Sequence, residues 1–457
     1  VKKRCITTII FFLLISSGFY SYLYPRLIII NGYAAKIACS CYFVSHLPEK
    51  RITEEELGYF PVSLSRFKID ETTKSVTATF GGFRKQTAVF TPGYGCTLLP
   101  ENNASSSVLP FQRPTDPERF DPFSTSFRDS LENFAPQKIA RIDSLVAEGF
   151  EENLKKGKKN TRAIVVLHRG TLLAEKYGNV ADAHTPLLGW SMTKTIMGIL
   201  AGIMAKEGKW QLSDQPLFQN WSDDSKKDIT LRDLLQMRSG LRWEEKYSDL
   251  SEATIMLYDQ PNMGLYASEQ PLQDSTPFWY YSSGTSNILS FLMAQKFDTH
   301  QEYLNYPYEQ LFKPLGISDF TLETDSEGYY VMSSYGYGTA RDWSKLGQLI
   351  LQRGVWQRDT LYHTSWADFM ATPAEGSNGD YGGHIWLNQG KKSPELSTGS
   401  LFMQGYQGQY VYIIPELDLV VVRLGNTYTS SSLDLDEWII TLAETIKEIT
   451  ESSSHQQ

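Results

Sequence analysis

Ser191 and Lys194 lie three residues apart in GWSMTK, residues 189–194, at the head of an apolar run. A serine hydroxyl is a poor nucleophile near neutral pH and needs a neighbour to take its proton. At positions i and i+3 of a helix the two side chains share a face. A lysine buried there loses hydration of its charged form, so its pKa falls and its amine can act as that base. A serine at a helix N-terminus also sits among exposed backbone N–H groups and a dipole that favour developing negative charge. The spacing alone is weak evidence, because about two Ser-x-x-Lys pairs are expected by chance in a chain of this composition. Ser65 with Lys68 is another such pair, in a strand-like stretch with no apolar helix behind it, and is read as coincidence.

Two downstream segments add context. WYYSSGTSN, residues 279–287, places Tyr281, Ser282 and Ser283 on a loop before a helix. A tyrosine can shuttle protons between nucleophile and leaving group, and a neighbouring serine can orient the lysine. GYQGQYVYIIPELDLVVVRLG starts at Gly405, and its glycines allow a substrate to approach a strand edge whose N–H groups complete an oxyanion hole. Taken singly, the first is an aromatic-capped turn and the second a glycine-flanked hairpin. A Ser-His-Asp design is disfavoured: no Gly-x-Ser-x-Gly elbow surrounds any serine, and His168 and His384 are read as structural or surface residues. Trp190, Trp243, Tyr280, Trp386 and Tyr406 are candidate pocket walls.

In this order the three segments resemble the serine β-lactamase and penicillin-binding-protein superfamily, in its class C β-lactamase-like branch. That branch includes esterases, D-amino-acid peptidases and 6-aminohexanoate-dimer hydrolase. The resemblance covers about residues 135–450 and includes ITLRDLLQMRSGL (229–241), LFKPLGISDFTLE (311–323) and GTARDWSKLG (338–347). It implies Ser191 as the acylated nucleophile, Lys194 as its base partner and Tyr281 as the second-motif tyrosine. Ser283 stands where many relatives have asparagine, and Gly408 matches the third-motif glycine. The backbone N–H groups of Ser191 and Gln409 would form the oxyanion hole. One departure matters. The third motif of β-lactam hydrolases usually starts with Lys or His, and here that position is Tyr406. The missing cation counts against β-lactam hydrolysis and suits a neutral ester or amide, a small-molecule or peptide-like substrate. The same departure favours an alternative, a catalytically weak penicillin-recognising binding or sensor domain at the membrane. The hydrolase mechanism requires no metal or organic cofactor.

These residues need elements to hold them. SMTKTIMGILAGIMAKE, residues 191–207, reads as a helix, with Ile196, Ile199, Leu200, Ile203 and Met204 at helical spacing. Before it come a helix over 135–155 and a hairpin, AIVVLH, turn, TLLAEKYG. After it a mostly helical stretch runs to about residue 370, then strands return, then a helix near 434–450. Strands at both ends of a helical middle predict one antiparallel sheet assembled from distant segments and flanked by helices, an α/β (α+β) fold with a mostly helical subdomain.

Upstream, residues 51–100 read as short strands, Val76, Ala78 and Phe80 alternating before the Gly81-Gly82 turn, and the proline-rich run 101–125 reads as a linker. The organisation predicted is a membrane segment over 1–26, a small β-rich region and linker over 27–125, the hydrolase domain over 126–452, and a disordered tail over 453–457. Lys2, Lys3 and Arg4 precede an uncharged run from Cys5 to Tyr24, the pattern of a signal anchor or a cleaved signal peptide, so the remainder is expected to be exported, periplasmic or extracytoplasmic. Cys39, Cys41 and Cys96 then allow one disulfide, Cys96 with either of the others. With 43 Lys and Arg against 52 Asp and Glu, a net charge of −9 and no basic stripe, the composition excludes nucleic acid as a partner.

Overall fold

The computed structural model describes residues 17–100, 126–152, 158–222, 225–273, 278–428 and 435–454. The linker over 101–125 and most of the uncharged N-terminal run lie outside these. Among the described residues no helix is long and apolar enough to cross a membrane.

Helix α1 (Tyr24–Phe43) starts with proline in its first turn and has fourteen of its twenty residues buried. It begins in the segment read as a membrane anchor (1–26) and runs into the region read as β-rich (27–125), and it has no polar face to betray it. A helix surrounded by protein carries apolar and small residues all round and shows no amphipathic period. It packs on a four-stranded antiparallel meander, β1 (Arg66–Asp70), β2 (Ser75–Phe80), β3 (Phe83–Thr91) and β4 (Gly95–Leu99), in sequential order. Val76, Ala78, Ala88 and Cys96 alternate along these strands and are fully buried with α1. The Cys39–Cys96 disulfide joins α1 to β4, while Cys41 is a buried free thiol. Ser65 donates to Asn31 Oδ1 at 2.8 Å and Lys68 lies in β1, so that Ser-x-x-Lys pair is part of this packing.

The main sheet comes from both ends of the remaining chain. Helix α2 (Pro136–Glu148) precedes β5 (Thr161–His168) and β6 (Thr171–Tyr177); then come α3 (Met192–Lys206), α4 (Ser283–Ala294) and α5 (Ala340–Leu351). Strands β7 (Trp386–Leu387), β8 (Leu401–Gly405), β9 (Gln409–Ile414) and β10 (Leu419–Gly425) follow, and α6 (Asp436–Ser454) closes the fold. The six strands run in the order β7-β8-β9-β10-β5-β6, and every neighbour is antiparallel.

Both faces of the sheet are covered, so its central strands β5 and β10 are buried throughout. Ile164 and Val166 face α2 and α6, packing with Ile142, Val146, Ile439 and Ile446. Ala163, Val165 and Leu167 point the other way, toward the core that holds α3 and α5. The apolar stripe of α2 ends at Val146, which is why the helix stops at Glu148 and not at 155. At the C-terminus α6 runs through Ser454, so residues 453 and 454, read as tail, are helical.

Candidate active site

The turn entering α3 is clamped from three sides. Leu187–Leu188 pairs with Gly336–Gly338, and the Gly189 N–H donates to Gly336 O at 2.8 Å. Thr193 Oγ1 accepts from the Gly336 N–H at 3.0 Å and donates to Trp190 O at 2.7 Å. At the end of β8, a Cβ on Gly405 would lie 2.2 Å from the Gly189 carbonyl oxygen, so only glycine lets that strand edge come so close. Trp190 is held at a φ of 49°, a left-handed conformation that a bulky residue adopts only when its surroundings impose it.

Ser191 is the N-cap of α3, yet its side chain makes no capping hydrogen bond. A serine there ordinarily accepts from the helix N–H groups. Here the hydroxyl is left for Lys194, whose Nζ lies 3.0 Å from Ser191 Oγ. The same nitrogen is 3.0 Å from Ser283 Oγ and 2.8 Å from Ser333 O. Lys194 is 1% exposed, and burial pulls its pKa down to about 8 against the opposing pull of the Glu245 carboxylate. Burial pushes the Tyr281 hydroxyl well above the usual range, and the neighbouring Ser191 hydroxyl opposes that shift. The Tyr281 ring stacks on Trp386 at 5.2 Å and lies edge-on to Tyr381 at 5.8 Å, while the Lys194 ammonium sits 5.0 Å from its centre.

Ser283, the first residue of α4, is fully buried. Its hydroxyl meets Lys194 Nζ, Glu245 Oε1 and, at 3.0 Å, Tyr247 OH. Those three neighbours occupy its hydroxyl, and Ser283 is not part of the lining of the cleft at Ser191. Glu245 was not legible in the sequence. In EEKY, residues 244–247, it reads as part of a solvated charged turn. In the fold it accepts from Tyr247 OH at 2.6 Å, Trp243 Nε1 at 2.6 Å and the Ser283 N–H at 2.9 Å. The preceding GLRW, which places a tryptophan two residues ahead of the carboxylate, was the available signal.

The third-motif residues flank the nucleophile turn. Gln407 has a φ of 61° and accepts from Trp190 Nε1 at 3.1 Å. Gly408 has a φ of 79°, and its carbonyl accepts from Arg423 at 2.6 Å. Gln409 opens β9 and uses its side-chain amide to bridge Gly425, donating to its O at 2.6 Å and accepting from its N–H at 3.0 Å. Tyr406 packs edge-on against Trp190 at 5.6 Å, with burial raising its pKa. Tyr280 lies on the rim, where its hydroxyl accepts from the Glu245 N–H at 3.4 Å. The two candidate histidines are not among the hydrogen-bond partners of Lys194. His384 is fully buried between Leu235 O and Ser286 Oγ, and burial takes its pKa down to about 4. His168 is buried at the end of β5, and its pKa is lowered by the same cause.

From Ser191 a cleft of about 660 Å3 opens, lined by Trp190 and Tyr406, by one face of α1 and by residues 245–249. Comparison with known proteins fits this arrangement: the family model described as Beta-lactamase matches residues 146–444. The chain belongs to the Beta-lactamase family. The match contains Ser191, Lys194, Tyr281 and the hairpin from Gly405, and it leaves α1 and its four-stranded sheet outside. Among solved structures, a candidate 6-aminohexanoate-dimer hydrolase from Bacillus anthracis is similar at 20% identity and a TM-score of 0.55, over 64% of this chain and 80% of that one. EstCE1, described as a hydrolase with promiscuous acyltransferase activity, aligns at 14% identity and a TM-score of 0.54, over 68% of this chain and 99% of its own. A candidate beta-lactamase from Bacteroides dorei aligns at 17% identity and 0.51, over 70% and 99%. At such identities the likeness concerns the fold. No curated protein matches the chain.

Proposed function

We propose that this family member is a serine hydrolase that cleaves a neutral ester or amide through an acyl-enzyme on Ser191. The observation that carries the reading is the 3.0 Å approach of a buried Lys194 amine, its pKa lowered to about 8, to an uncapped Ser191 hydroxyl. As a neutral amine, Lys194 takes the serine proton while Oγ attacks the carbonyl carbon. The N–H groups of Ser191 and Gln409 receive the oxyanion. Tyr281 passes a proton to the leaving group; water then attacks the acyl carbonyl carbon and gives its proton to Tyr281, while the proton held by Lys194 returns to Ser191 Oγ as the acid departs. Two neighbours in fold are described as hydrolases, one of them with acyltransferase activity, which is chemistry of this kind.

A neutral substrate is favoured by the charges around the cleft. Tyr406 fills the position where a cation would meet a substrate carboxylate. The cleft's Arg26 and Lys246 both pair with Asp249, at 2.7 and 3.8 Å. Export, with attachment through residues 5–24, belongs to the same proposal. Its supports are the basic residues ahead of an apolar run and the Cys39–Cys96 bond, a feature of oxidising compartments.

Labelling with a fluorophosphonate and, separately, a fluorescent penicillin, read by intact mass, tests the reading. The fluorophosphonate adduct is expected on the native chain and not on Ser191→Ala, with no penicillin adduct. A folded sample that takes neither reagent refutes the hydrolase; penicillin labelling alone would replace it with the sensor reading.

A further inference from the structure

One wall of the cleft lies outside the residues matched by the family model. Arg26, Ile29, Ile30 and Tyr33 line it from α1, and this i, i+3, i+4, i+7 spacing is one helix face. From Arg26 to Tyr33, seven helical rises, the face runs about 10 Å along the cleft. The turn ahead of β1 adds Tyr59, Phe60 and Val62. At the Ser191 end, the Tyr33 ring stacks on Trp190, the residue before the nucleophile, with centroids 6.1 Å apart and planes 13° apart. Tyr59 meets Tyr33 edge-on at 6.1 Å. At the far end Arg26 is neutralised by Asp249 at 2.7 Å. Glu245, Lys246, Ser248, Asp249 and Ser334 also line the cleft, but most of its surface is aliphatic and aromatic, so an apolar group gains by entering it.

Which part of the substrate enters follows from Tyr281. The leaving group takes its proton from that hydroxyl, so it departs on the side of Tyr281, Tyr381 and Trp386. None of those three lines this cleft. The group that stays on Ser191 is then the one left to this cleft, which Ser191 lines. We propose that α1 and the Tyr59–Val62 turn form the acyl-group subsite, and that the substrates are esters or amides of medium- to long-chain apolar acids. This rests on the hydrolase reading above.

The test is hydrolysis of p-nitrophenyl acetate, butyrate, octanoate and dodecanoate by the full chain. The kcat/KM is expected to rise about tenfold or more from acetate to octanoate as methylenes leave water. Ile29→Trp fills the cleft, and Phe60→Asp puts a charge at its mouth on a residue that is 79% exposed and so tolerates the change. In both, the octanoate-to-acetate ratio of kcat/KM is expected to fall about tenfold. Using the ratio cancels any loss of folded enzyme. Ser191-dependent turnover with a flat chain-length profile, or with ratios unmoved in both variants, overturns the subsite and leaves the hydrolase standing. A length dependence seen only in acetyl esters of longer alcohols also overturns it. No Ser191-dependent turnover of any ester overturns the hydrolase reading and the subsite with it.

Discussion

Lys194 directs its amine at Ser191 Oγ, Ser283 Oγ and Ser333 O, so in the proposed mechanism its protonation state sets whether the serine can be activated. Burial depresses its pKa from the ordinary lysine value to about 8. In the proposed mechanism the neutral amine is the base, so kcat/KM should rise with pH through about 8 and level off above it. Glu245 acts in the opposite sense, favouring the ammonium. Glu245→Gln should therefore move the midpoint of that limb to lower pH, because the carboxylate that sustains the charge is gone. A pH–rate profile measured on both proteins decides it, and an unmoved midpoint would remove Glu245 from the site. The serine, lysine and tyrosine were legible because local spacing carries them: a helical i, i+3 pair and an aromatic loop before a helix. Glu245 was hidden because its meaning depends on Ser283, which lies 38 residues away, and on the tertiary burial of a turn that looks solvated in sequence.

At the scale of elements, the nucleophile turn and the strand edge at β8 are held together by the absence of side chains. Gly405→Ala would place a Cβ 2.2 Å from Gly189 O, and backbone cannot yield there as a flexible side chain could. The strand end must move away from the turn that presents Ser191, carrying the Gln409 N–H with it. The expected outcome is a loss of kcat of roughly a hundredfold, the scale of losing one oxyanion donor. A near-native melting temperature should accompany it, because the rest of the sheet keeps its register. Full activity in this variant would show that the β8 edge has no part in the reaction. Elements with one exposed face were readable to within a few residues: α3 was expected over 191–207 and spans Met192–Lys206. The hairpin of β5 and β6 was readable from its alternation and turn. Helix α1 was not, since burial on all sides erases the period that sequence reading depends on, and the strands expected around it drew the whole segment into a β-rich region.

Across the whole molecule, α1 is where the N-terminal layer and the hydrolase body become one structure. Its Lys36 is fully buried against Glu323, which lies 287 residues later, within the mostly helical middle of the chain. Ser40 Oγ donates to the same carboxylate at 2.8 Å, the Cys96 N–H donates at 2.6 Å, and the Tyr335 ring lies 4.0 Å from the Lys36 ammonium. Burial pushes the pKa of Lys36 down and that of Glu323 up, and each partner opposes the other's shift. Removing one member strands the other charge in the core, which costs about 3–5 kcal/mol, whereas replacing both with apolar groups is often close to neutral. Lys36→Met should therefore lower the free energy of unfolding in urea by about that amount. The double variant Lys36→Met, Glu323→Met should recover most of the loss. Because the same helix walls the cleft, the single variant should also lose its preference for long acyl chains at urea concentrations where the body still turns over acetate. If the single variant is as stable as the native chain, or the double is no better than the single, the ion pair does not tie α1 to the body. The cleft wall would then depend on the Cys39–Cys96 bond and on apolar packing alone.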